Sequence, residues 1–455
     1  MVTWAGRKIA AAAAVATIIG ALAAPGAEAA VITATWTGGN GNWTETPRWS
    51  FSPASAVTWP SNNFGPDSFN VFIDGGSAGA SVVRLNTTVA IDTLTISSGD
   101  TLINNNNQDM TVATGSVVNN GTFNLAAVSA ATDLRMNGAS SIGGTGTMAL
   151  SDSTLNRILT GAAGDVVTHG AGHTIRGAGQ ILLDSGGMIN DGTIDADAAV
   201  NALVIDAGAP GFVNNGTLRA SGAAGLSVDA TGNNFTQAGT ATVNAGSRMV
   251  VSAGDYVQTG GQTTVDGTLQ VEGAGASVDI GGGRLGGGGV IRFTGGGAQA
   301  VNNTAGTLAA GDSPGILTIE NAAYAQSAGG VFEYELSGAA PGAGGHDLLV
   351  VDTGVADLAG LLDIILDPSF AASLTLGDQF EVIRLINGGS FLGGNEADQL
   401  FDAVAVDLAG FAFDQFISGS SLFVSVARVA DVPVPASALL LVPGLLALVF
   451  LRRRG

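Results

Sequence analysis

The sequence predicts an all-β chain: a right-handed β-solenoid (β-helix) with β-rich terminal caps, an N-terminal signal peptide and a C-terminal transmembrane sorting helix. Three observations carry that expectation. The first is composition. Glycine supplies 70 of the 455 residues and proline only 12, while the charged fraction is 12% and the mean hydropathy is positive. Disordered linkers are seldom that apolar, and a collagen-like chain needs glycine at every third position with abundant proline. The second is internal repetition. Val118-Asn119-Asn120-Gly121-Thr122-Phe123 returns as Ile189-Asn190-Asp191-Gly192-Thr193-Ile194, as Val213-Asn214-Asn215-Gly216-Thr217-Leu218, and more loosely as Val265-Asp266-Gly267-Thr268-Leu269. These glycines lie 71, 24 and 51 residues apart, close to three, one and two multiples of a unit of about 24, which is a solenoid period. The third is alternation. Leu94 and Ile96, Met110 and Val112, and Phe123 and Leu125 form short apolar pairs, as strands of a few residues with one face inward would.

Residues 1–30 open with Arg7 and Lys8, continue through an apolar stretch from Ile9 to Ala24 and end in Ala27-Glu28-Ala29. A short basic segment, an apolar core and a small-residue A-x-A ending read as a secretory signal peptide, with Ala27 and Ala29 marking the cleavage region. Residues 31–90 hold Trp36, Trp43, Trp49 and Trp59 and read as an N-terminal β cap. Two readings of the tryptophans stay open: a buried plug for the first coil, or an exposed row that stacks on sugar rings. Caps need large apolar bodies, which favours the plug.

Residues 91–330 are the Gly/Asn-rich solenoid. Each repeat is expected to turn at an Asn-Gly or Asp-Gly corner, where glycine supplies positive φ at little cost. Coils stacked ~4.8 Å apart pair each backbone with the next and place like residues over like. Asn104 to Asn107, Asn233-Asn234 and Asn302-Asn303 are then candidates for side-chain ladders. From residue 331 glycine thins out, and longer runs appear at Val331 to Leu336, Leu358 to Leu366, Phe380 to Ile386 and Leu422 to Val426. An uncovered last coil exposes a pairing edge, so 331–428 reads as a β-rich C-terminal cap or small sandwich.

Residues 429–455 carry Val432-Pro433-Val434-Pro435-Ala436, an apolar run from Ala438 to Leu451, and Arg452-Arg453-Arg454 before the final glycine. The three arginines act as a cytoplasmic stop under the positive-inside rule and leave the body on the exported side. A short proline motif, an apolar helix and a terminal arginine cluster in this order resemble the PEP-CTERM sorting signal, with Pro433-Val434-Pro435 in place of the eponymous Pro-Glu-Pro. The resemblance implies exosortase and the secretion machinery as partners, transient membrane insertion of the helix, cleavage near the proline motif, and release to the surface or extracellular matrix of a Gram-negative bacterium.

Within the body, Trp36-Thr37-Gly38-Gly39-Asn40-Gly41-Asn42-Trp43, the segment from Leu308 to Ile319 around Ser313-Pro314-Gly315, and Asp347-Leu348-Leu349-Val350-Val351 are similar to autotransporter-like passenger β-helices. That likeness concerns architecture and is nearly silent about activity.

Little in the chain points to catalysis. Cysteine is absent, so neither a disulfide nor a cysteine-based metal site is available. The formal charge of −21 repels phosphate backbones and argues against nucleic acid. His169 and His173 are separated by Gly170-Ala171-Gly172 with no metalloprotease glutamate, and they read as polar corner residues. Asp195 with Asp197, and Asp363 with Asp367, are carboxylate pairs of a kind that glycosidases use, but no arginine clusters with them in sequence. Gly342 to Asp347 matches a calcium-binding glycine-aspartate repeat once and without its spacing. The expectation is therefore a non-catalytic structural or adhesive protein without cofactor or metal, associated with exopolysaccharide or biofilm. The alternative is a β-helical carbohydrate-active enzyme or a carbohydrate-binding protein.

Overall fold

The computed structural model describes residues 29–74, 79–229, 235–311, 314–392 and 400–429. Ala27, the proline motif Val432 to Ala436 and the stop Arg452 to Arg454 lie outside the described residues, as do Asn233 and Asn234. No helix among the described residues is long and apolar enough to cross a membrane.

The described chain is a parallel β-solenoid of about 11 turns. Its strands fall into a 29-stranded and a 15-stranded sheet, and its one α-helix among the described residues is the four-residue Pro368–Ala371. From Thr122 the strands follow in threes. Thr122–Ala126, Thr132–Met136 and Ser140–Gly143 make one coil on a first, second and third face; Thr147–Leu150, Asn156–Thr160 and Val166–His169 make the next, each in parallel register on the strand three places back. The first face is the 15-stranded sheet, with neighbouring strands ~4.8 Å apart.

Short strands suffice because alternation sends every second side chain inward. In one coil Ile194, Leu203, Ile205 and Phe212 are all fully buried. On the third face Phe212 stacks on Phe235 with ring centroids 5.3 Å apart, and Tyr256 meets Phe235 edge-on at 5.2 Å.

The corner between third and first faces explains the repeated glycines, and by a different cause than predicted. Gly121, Gly192 and Gly216 are not in the left-handed region. A Cβ added at Gly216 would instead lie 2.2 Å from the Gly192 carbonyl oxygen, and one at Gly239 2.2 Å from that of Gly216. Each corner sits directly on the one before it and leaves no room for a side chain. Gly267 belongs to another corner, since Thr268–Val271 lies on the second face; the fourth sequence match is a chance likeness of two different turns.

Parallel stacking passes position 330 without a break. Thr307–Ala309 pairs with Val331–Leu336, which pairs with Leu361–Leu366, and that with Ala403–Val406. The predicted change at 331 is thus a lengthening of first-face strands rather than a separate sandwich. What covers the last coil is antiparallel: Ser421–Arg428 pairs with Gln379–Ile386 and with Ala412–Ser418. At the other end, Val31–Trp36 pairs antiparallel with Trp49–Ser52 and parallel with Ser68–Ile73, which starts the stack.

Candidate functional site

The tryptophans form a plug. Trp36, Trp43 and Trp49 are 1%, 0% and 7% exposed, and both Trp36 and Trp43 pack edge-on against Trp49 with centroids 5.1 and 4.9 Å apart. Their indole N–H groups donate to the carbonyls of Gly39, Pro60 and Trp43 respectively. These three rings are unavailable for stacking on sugars. Trp59 is half-buried against Phe64, which is 50% exposed, so that pair is an aromatic surface the cap leaves open.

The most organised polar feature lies inside the coil. At the end of the third-face strands, in register one above another, stand Ile142, His169, Asn190, Asn214, Gln237, Gln258, Ile280, Asn303 and Gln326. All the polar members are at most 3% exposed. His169 and His173 are polar residues at a corner, as the sequence implies, and both rings are wholly buried. His173 stands at the glycine corner: Thr174 pairs with Thr147 and Thr193, whose preceding residues are Gly146 and Gly192. The extra residues Gly170 to Gly172 let the chain turn its ring into the core.

Every link of the first stretch runs side chain to side chain. Asn119 Nδ2 lies 3.1 Å from His173 Nε2, His173 Nδ1 lies 2.9 Å from His169 Nε2, and His169 Nδ1 lies 2.6 Å from Asn190 Oδ1. Asn190 Nδ2 donates to Asn214 Oδ1 at 2.6 Å, and Asn214 Nδ2 to Gln237 Oε1 at 2.7 Å. The amides fix the imidazole tautomers. Asn190 Oδ1 only accepts, so His169 carries its proton on Nδ1; Asn119 Nδ2 only donates, so His173 Nε2 is bare and its proton is also on Nδ1. Both rings are neutral, and the six side chains donate in one direction from Asn119 to Gln237. Burial lowers both histidine pKa values, and the neighbouring His169 lowers His173 further, to about 3. The second stretch has no histidine. There Thr263 Oγ1 donates to Gln258 and contacts the Tyr256 hydroxyl, while Gln326 Oε1 accepts from Asn303 and Tyr324.

The column eluded the sequence reading, although a signal existed: an amide stands two residues before the glycine at Asn119, Asn190, Asn214 and Gln237. Of the predicted asparagine ladders, Asn303 enters the column, Asn302 donates outward to Asp279, and Asn106 caps the backbone N–H groups of Val128 to Ala130.

On the outer first face the register gathers what the sequence kept apart. Arg176, Asp195 and Arg219 are consecutive rungs. Arg176 pairs with Asp197 at 2.7 Å and Arg219 with Asp195 at 3.5 Å, while Ser221 Oγ donates to Asp195. On the second face Arg157 grips Asp133 bidentately at 2.6 and 2.7 Å. The other carboxylate pair separates: Asp363 is on the first face, whereas Asp367 caps the short helix through the N–H groups of Ser369 and Phe370. Three open recesses, of about 670, 520 and 510 Å³, are lined by other residues, including Asn321 and Thr353, Asp279 and Asn302, and Arg248 and Asp266.

In the Gly342 to Asp347 segment, Asp347 Oδ1 accepts from the Gly315 N–H and Oδ2 from that of Glu335. The carboxylate thus ties the turn after Pro314 to the strand Val331–Leu336, and burial raises its pKa to about 7. No group of three or more metal-ligating side chains occurs among the described residues. Neither a family model, nor a curated protein, nor a solved structure matches the chain.

Proposed function

We propose that the chain is an exported, exosortase-sorted surface or matrix protein with a structural or adhesive role, delivered by residues 429–455 and associated with exopolysaccharide. The observation that carries this reading is the order of addresses around an uninterrupted rod: an A-x-A ending before the first strand, and the V-P-V-P-A motif, apolar run and arginine stop after the last. A right-handed coil is the form proposed for the rod, the usual hand of parallel β connections. Support also comes from the plug, since Trp36, Trp43 and Trp49 close one end instead of lining a site.

Fractionation of cells expressing the full chain or a chain ending at Val429, with mass spectrometry of the C-terminus, tests the reading. The proposal expects surface-exposed protein that ends near Pro435, and a changed destination without the tail. An intact Arg452 to Arg454 on surface protein would overturn processing; retention inside the cell would overturn export.

One observation favours a second reading, a carbohydrate-active β-helix: two carboxylates and two guanidiniums converge at Arg176, Asp195, Asp197 and Arg219. Turnover of an acidic or neutral polysaccharide that Asp195→Asn and Arg219→Ala each abolish would establish it. Equal activity in wild type and variants would remove it.

A further inference from the structure

The buried chain Asn119, His173, His169, Asn190, Asn214, Gln237 tolerates one protonation pattern only. Its two ends fix the two imidazoles independently, as above, and both assignments agree on Nδ1–H. A second proton on His173 would set Nε2–H against the Asn119 amide N–H at 3.1 Å; one on His169 would set Nε2–H against His173 Nδ1–H at 2.9 Å. Either event turns a hydrogen bond into two opposed donors in a site without water access. In register, Ile142 lies on one side of His169 and Asn190 on the other. Among the described residues the charged group acting on His169 is Asp191, at the outer corner, and His173 feels only His169.

We propose that this six-residue chain is an acid-sensitive lock: it holds the coils between Asn119 and Gln237 shut at neutral pH and opens them in acid, while the histidine-free stretch from Tyr256 to Gln326 stays closed. The sign follows from linkage. An unfolded histidine takes a proton near pH 6.5, whereas the buried rings resist it, so the open form binds more protons below that pH and is favoured as pH falls. Among the described residues of the second stretch the buried polar side chains are amides, a threonine and two phenols, and none of these titrates between pH 3 and 8. An exported rod would thereby carry one acid-labile and one acid-indifferent length.

Hydrogen exchange of the purified protein, corrected for intrinsic rates and compared between pH 7 and 4, tests this on both lengths at once. Below pH 6.5 the protection of residues 117–240 is expected to fall about tenfold per pH unit for each histidine, relative to residues 256–326. The double variant His169→Asn, His173→Gly installs the residue types found at these positions in neighbouring coils, and it is expected to lose that acid response. Unchanged relative protection of the two lengths in wild type would overturn the proposal even if the double variant failed to fold. The same acid loss in a folded double variant would also overturn it.

Discussion

Two lengths of one interior column solve the same problem with different chemistry. From Asn119 each polar side chain donates to the next as far as Gln237, whose own Nε2 is left without a partner, so every link depends on its neighbour's direction. From Tyr256 to Gln326 the amides are anchored locally, Gln258 by Thr263 and Gln326 by Tyr324, and Ile280 interrupts the run. A directional chain gives register along several coils but fails as a unit. Local anchoring confines a failure to one coil.

The largest expected effect lies at the junction. Phe235 sits between Phe212 of the first length and Tyr256 of the second, and Phe235→Ala is expected to cost about 4 kcal/mol. Urea unfolding should show it as a lower midpoint, with the two lengths opening in separate steps by hydrogen exchange. Next comes Asn214→Leu, which takes the donor from Gln237 Oε1 and leaves Asn190 Nδ2 with the Thr217 carbonyl alone, and should cost about 3 kcal/mol. Asn303→Leu should cost less, about 2 kcal/mol, because Gln326 Oε1 keeps the Tyr324 hydroxyl. Equal losses for the two would erase the distinction between the lengths.

Acid should also separate the first length from the C-terminal coils. Burial raises the Asp347 carboxyl to about 7, above its unfolded value near 3.9. The stability it contributes is complete below about pH 4 and is lost as pH rises through 7. Exchange protection of residues 331–352 should therefore increase on acidification from pH 7 to 5, by about 1 kcal/mol per unit at most, while that of 117–240 falls. Asp347→Asn should flatten the response. The smallest effect belongs to the surface: Arg219→Ala should shift stability by about 0.5 kcal/mol, since the ion pair with Asp195 is long and its arginine exposed.

Much of the architecture was legible in the sequence, because inward alternation and stacked glycines recur within each coil: Phe123 and Leu125, or Gly192 and Gly216, announce a solenoid without any knowledge of register. What stayed hidden depends on register. His169 and His173 read only as polar corner residues, and their burial in the column stays hidden because the loop Gly170 to Gly172 obscures their place in the repeat. Arg176, Asp195 and Arg219 come together only when strands about a coil apart are laid side by side. The glycine corners were found for a wrong reason, since crowding by the carbonyl beneath leaves no trace in a single repeat.

The central structural claim is that neutral, Nδ1-protonated histidines join a one-way chain of buried amides. Nitrogen-15 NMR of histidine-labelled protein at pH 7 reads it directly. His169 and His173, assigned through single substitutions, should each show a protonated Nδ1 and a bare Nε2 that persist unchanged to pH 5. An Nε2–H tautomer on either ring, or a titration near pH 6.5, would contradict the account.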